Sequence, residues 1–165
     1  MPHSPLVGAL AGLAATAAMT LAMGALWRRL PRRERYPLPP REITSTLAAR
    51  TGIERHLDER QRVDATLLSH FAYGAGAGAL FPVLARRASV PRGIAYGLGV
   101  WAASYLGWLP AMRVLRPATQ HPAARNALML AAHVVWGAML AINANGLRRA
   151  ADDAFAQGPF RDARG

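Results

Sequence analysis

Cysteine is absent from all 165 residues, and so is lysine. The first absence excludes disulfide staples and thiolate-held metal sites, although it leaves the cellular compartment open. The second makes every one of the 20 basic side chains an arginine. That preference points to a GC-rich coding sequence as much as to any ligand, since arginine codons can be GC-rich and lysine codons cannot. Acidic residues are few, 9 in all, which leaves a formal net charge of +11. Signature motifs of soluble enzymes are missing as well: there is no Walker-type phosphate loop, dinucleotide fingerprint, His-Glu-x-x-His zinc pattern or nucleophile elbow. The run Gly74-Ala75-Gly76-Ala77-Gly78 lacks the strand-turn-helix setting of a phosphate loop and reads as packing surface inside an apolar stretch. No catalytic residue is assigned, and the chain reads as non-enzymatic.

Charge is missing from particular places rather than from the whole. No Asp, Glu, Arg or Lys falls in 1–27, 65–85, 93–112 or 126–147. A bilayer core of about 30 Å needs about 20 helical residues at roughly 1.5 Å each, and every one of these windows supplies them. The mean hydropathy of +0.09 averages such windows with arginine-dense connections and hides the pattern. Because the arginines flank apolar spans, phospholipid head groups are their nearer anionic partner, and a nucleic-acid role is set aside. The leader Met1-Pro2-His3-Ser4-Pro5 carries no Arg or Lys, and the apolar run from Leu6 to Trp27 exceeds the hydrophobic region of a cleaved signal peptide. The first window is therefore expected to be a retained anchor.

The predicted fold is all-α, an integral-membrane four-helix bundle embedded in the lipid bilayer. Its membrane domain covers 1–149, with spans about 6–27, 65–85, 93–112 and 126–147. Residues 28–64 form a connection with short amphipathic helices lying against the head groups, and 150–165 a flexible C-terminal tail. In the connection, Tyr36-Pro37-Leu38-Pro39-Pro40 is a stiff spacer because prolines restrict their neighbours and lack an amide donor. Ile43 and Leu47 share a helical face, Gly52 is a stop, and Ile53 and Leu57 begin another amphipathic turn. Pro82 bends or finishes the second span, and Pro110 marks the exit of the third. Thirteen arginines fall on the side holding 28–64 and 113–125, against seven on the other. The positive-inside bias puts the richer side in the cytoplasm and both termini outside it.

Two features give the spans an interior. Small residues recur at helical spacing: Gly8, Gly12, Thr16, Thr20 and Gly24 in the first span, Gly74 and Gly78 in the second, Gly93 and Gly97 in the third and Gly137 in the fourth. Such stripes let helix backbones approach closely, and they make a homo-oligomer or an unidentified membrane partner a further possibility. The second feature is a pair of intramembrane histidines in matching surroundings. His70-Phe71-Ala72-Tyr73-Gly74-Ala75 and His133-Val134-Val135-Trp136-Gly137-Ala138 share the histidine, an aromatic at +3, glycine at +4 and alanine at +5. Gly8/Gly12 against Gly93/Gly97, and Ala17 to Leu21 against Ala102 to Leu106, give a fainter echo. The simplest reading is a duplicated two-helix hairpin whose halves are related by an axis along the membrane normal.

Thr20, Ser104 and Tyr105 lie at similar depth to His70, Tyr73 and His133, so a polar layer is expected there. Polar side chains in lipid are costly and turn inward to find partners. Three roles fit the layer. It fixes helix register through cross-bundle hydrogen bonds in a structural, stress-related or partner subunit. Alternatively it carries protons or a solute in a small channel or transporter, since histidine titrates near neutral pH. As a third option, His70 and His133 hold haem or a metal, although two ligands alone make a poor zinc site. The default expectation is no cofactor. His56 and His121 are expected to be solvated, and His3 carries no readable signal.

The chain resembles the YagU-like family of bacterial inner-membrane proteins, described as having a domain of unknown function. The resemblance is carried by the Gly/Ala/Thr-rich first span, Leu38-Pro39-Pro40-Arg41, Ser69-His70-Phe71-Ala72-Tyr73-Gly74, Trp101 to Leu109, and Arg125-Asn126-Ala127 leading to Ala132-His133. It covers most of 6–147. It implies a bacterial inner-membrane location, establishes no activity and supplies no catalytic residues.

Overall fold

The computed structural model describes residues 4–85 and 88–155. The chain is all-helical, with no strand among those residues. Helix α1 (Pro5–Trp27) starts on a proline at its first position, where a missing amide costs no intrahelical bond. After a 3-10 turn at Arg32–Glu34, helix α2 (Pro39–Arg50) again opens on prolines. Gly52, at φ 72°, supplies the left-handed stop that the sequence predicts there. Ile53–His56 then forms a 3-10 turn rather than an amphipathic α-turn.

Helix α3 (Glu59–Leu84) begins before its uncharged window, because Asp58 and Gln61 make a reciprocal capping box that fixes the start. Charge marks where lipid contact begins, whereas the cap marks where the helix begins. Pro82 sits inside the last turn of α3 and is buried. Helix α4 (Val90–Ala102) runs into a π-helical turn, Ala103–Trp108, and a short segment α5 (Leu109–Ala111). Pro110 offers no N–H to the carbonyl of Leu106, and Gly107 leaves helical geometry at φ −107°, ψ −107°, so the ladder is re-spaced here. Helix α6 (Ala123–Phe155) continues past the predicted end of the fourth span. Residues 150–155 are helical rather than part of a flexible tail, since nothing between Leu147 and Phe155 breaks a helix. The remainder of that predicted tail, including Gly158-Pro159, lies outside the described residues.

Three helices, α1, α3 and α6, are long and apolar enough to cross a membrane. Large apolar side chains point away from the protein along them, with Leu21 77%, Leu68 73% and Leu84 71% exposed. Water would penalise such a belt and hydrocarbon would not. The packed interior lies on other faces. Helix α1 packs on both α3 and α6, and α4 packs on α6, while α3 and α4 scarcely touch. The order across the bundle is therefore α3, α1, α6, α4. Ala11, Ala15, Met19 and Met23 of α1 meet Met129, Ala132, Trp136 and Leu140 of α6 in the core.

Glycine makes both outer contacts possible. A Cβ at Gly12 would stand 2.8 Å from the Cα of Gly78 and collide with the carbonyl of Gly74. A Cβ at Gly93 would stand 2.8 Å from the Cβ of Ala141 and collide with the carbonyl of Gly137. Gly8 likewise abuts Gly78 and Pro82, and Gly97 abuts the His133 carbonyl and Gly137. If Gly74 and Gly78 are matched to Gly137 and Ala141, then Gly12 corresponds to Gly93. The pairing of Gly8/Gly12 with Gly93/Gly97 expected from sequence is out by one helical turn. Gly24 is a further correction: among the described residues nothing lies within 4 Å of where its Cβ would be, so it makes no close crossing with them.

Candidate functional site

A cavity of about 220 Å³ opens where α3 and α4 fail to meet. Helix α3 contributes Ser69, His70, Tyr73 and Ala77, which its 3.6-residue period brings to one face. Helix α6 contributes Met129, His133 and Trp136 by the same rule. The π turn swings Ser104, Tyr105 and Trp108 inward, and Leu109 follows. Thr16 and Met19 of α1 form the back wall. Pro40, Ile43, Thr44 and Leu47 of α2 close one end. The apolar face of α2 is thus turned onto the bundle and not only toward head groups.

Hydrogen bonds knit the lining. The hydroxyls of Tyr73 and Ser104 are 2.9 Å apart, joining α3 to the π turn. Trp136 donates from Nε1 to Thr16 Oγ1 at 3.1 Å, while that hydroxyl donates to the Gly12 carbonyl at 2.8 Å. Thr44 and Ser69 hydroxyls, 3.0 Å apart, fasten α2 to α3. His133 Nδ1 lies 2.8 Å from the Met129 carbonyl, and its ring meets Tyr105 edge-on at 6.0 Å. His70 Nε2 is buried without a hydrogen-bond partner. Among the described residues, no Asp, Glu or Arg side chain lines the cavity.

The ends of the cavity differ. Away from α2, Tyr96 donates its hydroxyl to the Ala77 carbonyl at 2.6 Å, and the rings of Phe81, Tyr96 and Trp136 succeed one another at 5.2 and 6.0 Å. On the other side, the lining residues Ser69, Tyr73 and Trp108 are exposed and form the rim of the cavity.

Of the predicted polar layer, His70, Tyr73, Ser104, Tyr105 and His133 come together around this cavity. Thr20 does not join them: its hydroxyl bonds back to the Thr16 carbonyl at 2.8 Å. Thr16, read from sequence as a packing residue, stands in the layer instead and also overlies Gly74. Of the small-residue positions, Gly8, Gly12, Thr16, Gly74, Gly78, Gly93, Gly97 and Gly137 are all buried at helix crossings. Among the described residues, no group of three or more His, Asp or Glu side chains stands close enough to hold a metal ion together.

Sequence reading missed the group that anchors α2. Arg125 is 3% exposed and donates from Nη1 to the carbonyls of Glu34 and Tyr36, both at 3.0 Å, and from Nη2 to that of Pro37 at 2.7 Å. Its guanidinium also lies 3.5 Å over the Tyr36 ring and 3.6 Å from Glu42. Arg50 ties the other end of α2 to the carbonyls of Met112 and Arg113 at 2.9 and 2.7 Å. Arg113 holds a left-handed φ of 55° at that point. Nothing in the spacing of these arginines separates them from the eighteen others; only carbonyls converging from remote segments do. His56 is exposed, and His121 contacts the Arg116 carbonyl at 3.2 Å outside the cavity.

Comparison of the chain with protein-family models, with curated proteins and with solved structures finds no match.

Proposed function

We propose that this chain is a non-enzymatic, four-span protein of the bacterial inner membrane that holds a lipid-soluble ligand between two related helical hairpins. The observation that carries the reading is the apolar cavity between the α1/α3 and α4/α6 pairs, whose rim residues Tyr73 and Trp108 are exposed. A site reached from the flank of a bundle draws its occupant from the bilayer. The helical path from Val90 to Ala111 supports the fourth crossing, since 93–112 holds no formal charge and about 22 residues at 1.5 Å each span the hydrocarbon. Matched glycine contacts in α1/α3 and α4/α6 support the duplicated hairpin. The inner-membrane location and the placement of both termini outside the cytoplasm rest on the family resemblance and the arginine asymmetry.

A conducting role is less well supported, because the rings of Phe81, Tyr96 and Trp136 stand in succession at the end of the cavity away from α2. A haem or metal role draws on the same two imidazoles with no third ligand beside them.

The test is saturable binding of fluorobenzene to the protein in lipid nanodiscs, followed by 19F NMR against protein-free discs. Val100 lines the cavity, so Val100→Phe should abolish the saturable component while the protein stays monodisperse. Partitioning identical to empty discs would reject the reading. Since the chain lacks cysteine, single cysteines at Arg60, Ala88, Arg116 and Ala151 report topology directly. A membrane-impermeant maleimide should separate Arg60 and Arg116 from Ala88 and Ala151.

A further inference from the structure

Several polar groups of the cavity are already paired within the protein, whereas His70 Nε2 is buried without a partner. Tyr73 is paired with Ser104, Thr44 with Ser69, and Thr16 both donates and accepts. The imidazoles are different. His133 sets Nδ1 against the Met129 carbonyl, which can only accept, so Nδ1 carries the proton. In the neutral ring its Nε2 is then an acceptor, and it makes no hydrogen bond to any described residue. His70 Nε2 is buried and equally unpartnered. A buried polar atom left unpaired is costly, and a bound group that supplies a hydrogen bond to His70 Nε2 recovers that cost.

Three further observations restrict the occupant. With no Asp, Glu or Arg side chain among the described lining residues, a charged ligand would be buried there without a counter-ion. Flat side chains, Tyr73, Tyr105, Trp108 and Trp136, line the space and favour a ring over a branched chain. Size is the third limit: a cavity of roughly 150 Å³ holds benzene. The 220 Å³ here thus accommodates one aromatic ring with a few substituents.

Building on the ligand-binding reading above, we propose that the cavity binds a neutral, single-ring aromatic hydroxyl compound taken from the bilayer. Its O–H donates to His133 Nε2 and His70 Nε2 provides the second polar contact. A hydroxyl supplies the donor that His133 lacks. A ketone or an ether does not.

Three probes of like size decide it in nanodiscs holding the full chain: 4-fluorophenol, 4-fluoroanisole and 4-fluorotoluene, each followed by 19F NMR. The phenol should bind about tenfold more tightly than the anisole, the equivalent of one hydrogen bond. His133→Phe should remove that margin and leave 4-fluorotoluene bound as before, which also certifies the fold of the variant. In the wild-type protein, 4-fluorophenol but not 4-fluoroanisole should shift the 15N resonance of His133 Nε2. Equal affinity for the three probes, with no histidine shift, would overturn the hydroxyl assignment while leaving the cavity a binding site. Failure of all three to bind saturably would remove both.

Discussion

The two hairpins use one contact for two ends. In α1 and α3, Gly12 lies on Gly74 and Gly78; in α4 and α6, Gly93 lies on Gly137 and Ala141. Beyond the crossing they part. Helix α1 stays regular to Trp27, with Thr16 set over Gly74, whereas the path after α4 is re-spaced from Ala103 and carries Ser104, Tyr105 and Trp108 off the helical line. The regular hairpin supplies a wall and the distorted one an opening. A tight crossing therefore fixes only how near two helices come; where the cavity forms is decided about three to five turns further on, by Gly107 and Pro110.

The largest effect should come from the tie that presses α2 onto the distorted side. Arg125→Ala removes a buried cation and strands the carbonyls of Glu34, Tyr36 and Pro37 along with Glu42. A loss of about 3–5 kcal/mol is expected in SDS-titration unfolding, and with it the seating of α2. A loss below 1 kcal/mol would show that α2 docks without this arginine.

Next in size are the crossings themselves. Gly12→Val and Gly93→Val each drive a branched side chain into backbone or a packed methyl, at an expected cost of about 1–3 kcal/mol apiece. Similar losses would make the hairpins energetic equivalents. Tolerance of valine at Gly93 alone would break the comparison, locating the strong contact in the first hairpin.

The smallest effect has the opposite sign. Gly24 of α1 and Gly99 of α4 have open space where a Cβ would lie. Alanine at either should raise stability by about 0.5–1 kcal/mol through helix propensity. A destabilised Gly24→Ala would mean that this end of the stripe packs against another molecule.

How much of this was legible beforehand follows from the range of each signal. Helix α1 is readable to within a residue because an uncharged window, a flanking proline and Arg28-Arg29 coincide. Helices α3 and α6 outrun their windows because caps and propensity end helices, while charge ends only lipid contact. Five members of the polar layer were predicted together since depth is proportional to sequence distance along a helix. Thr20 was the wrong sixth: its rotation and register depend on how far one helix slides on another, and Thr16 took its place.

By itself the sequence determined the helical class, the apolar spans and the two histidines that enter them, because each depends on the local distribution of charge and size along one chain. Only the tertiary structure decided the one-turn slip between hairpins, the burial of Arg125 under a remote segment and the cavity at the π turn. Those depend on which surfaces meet, and small residues permit several registers until the rest of the bundle selects one.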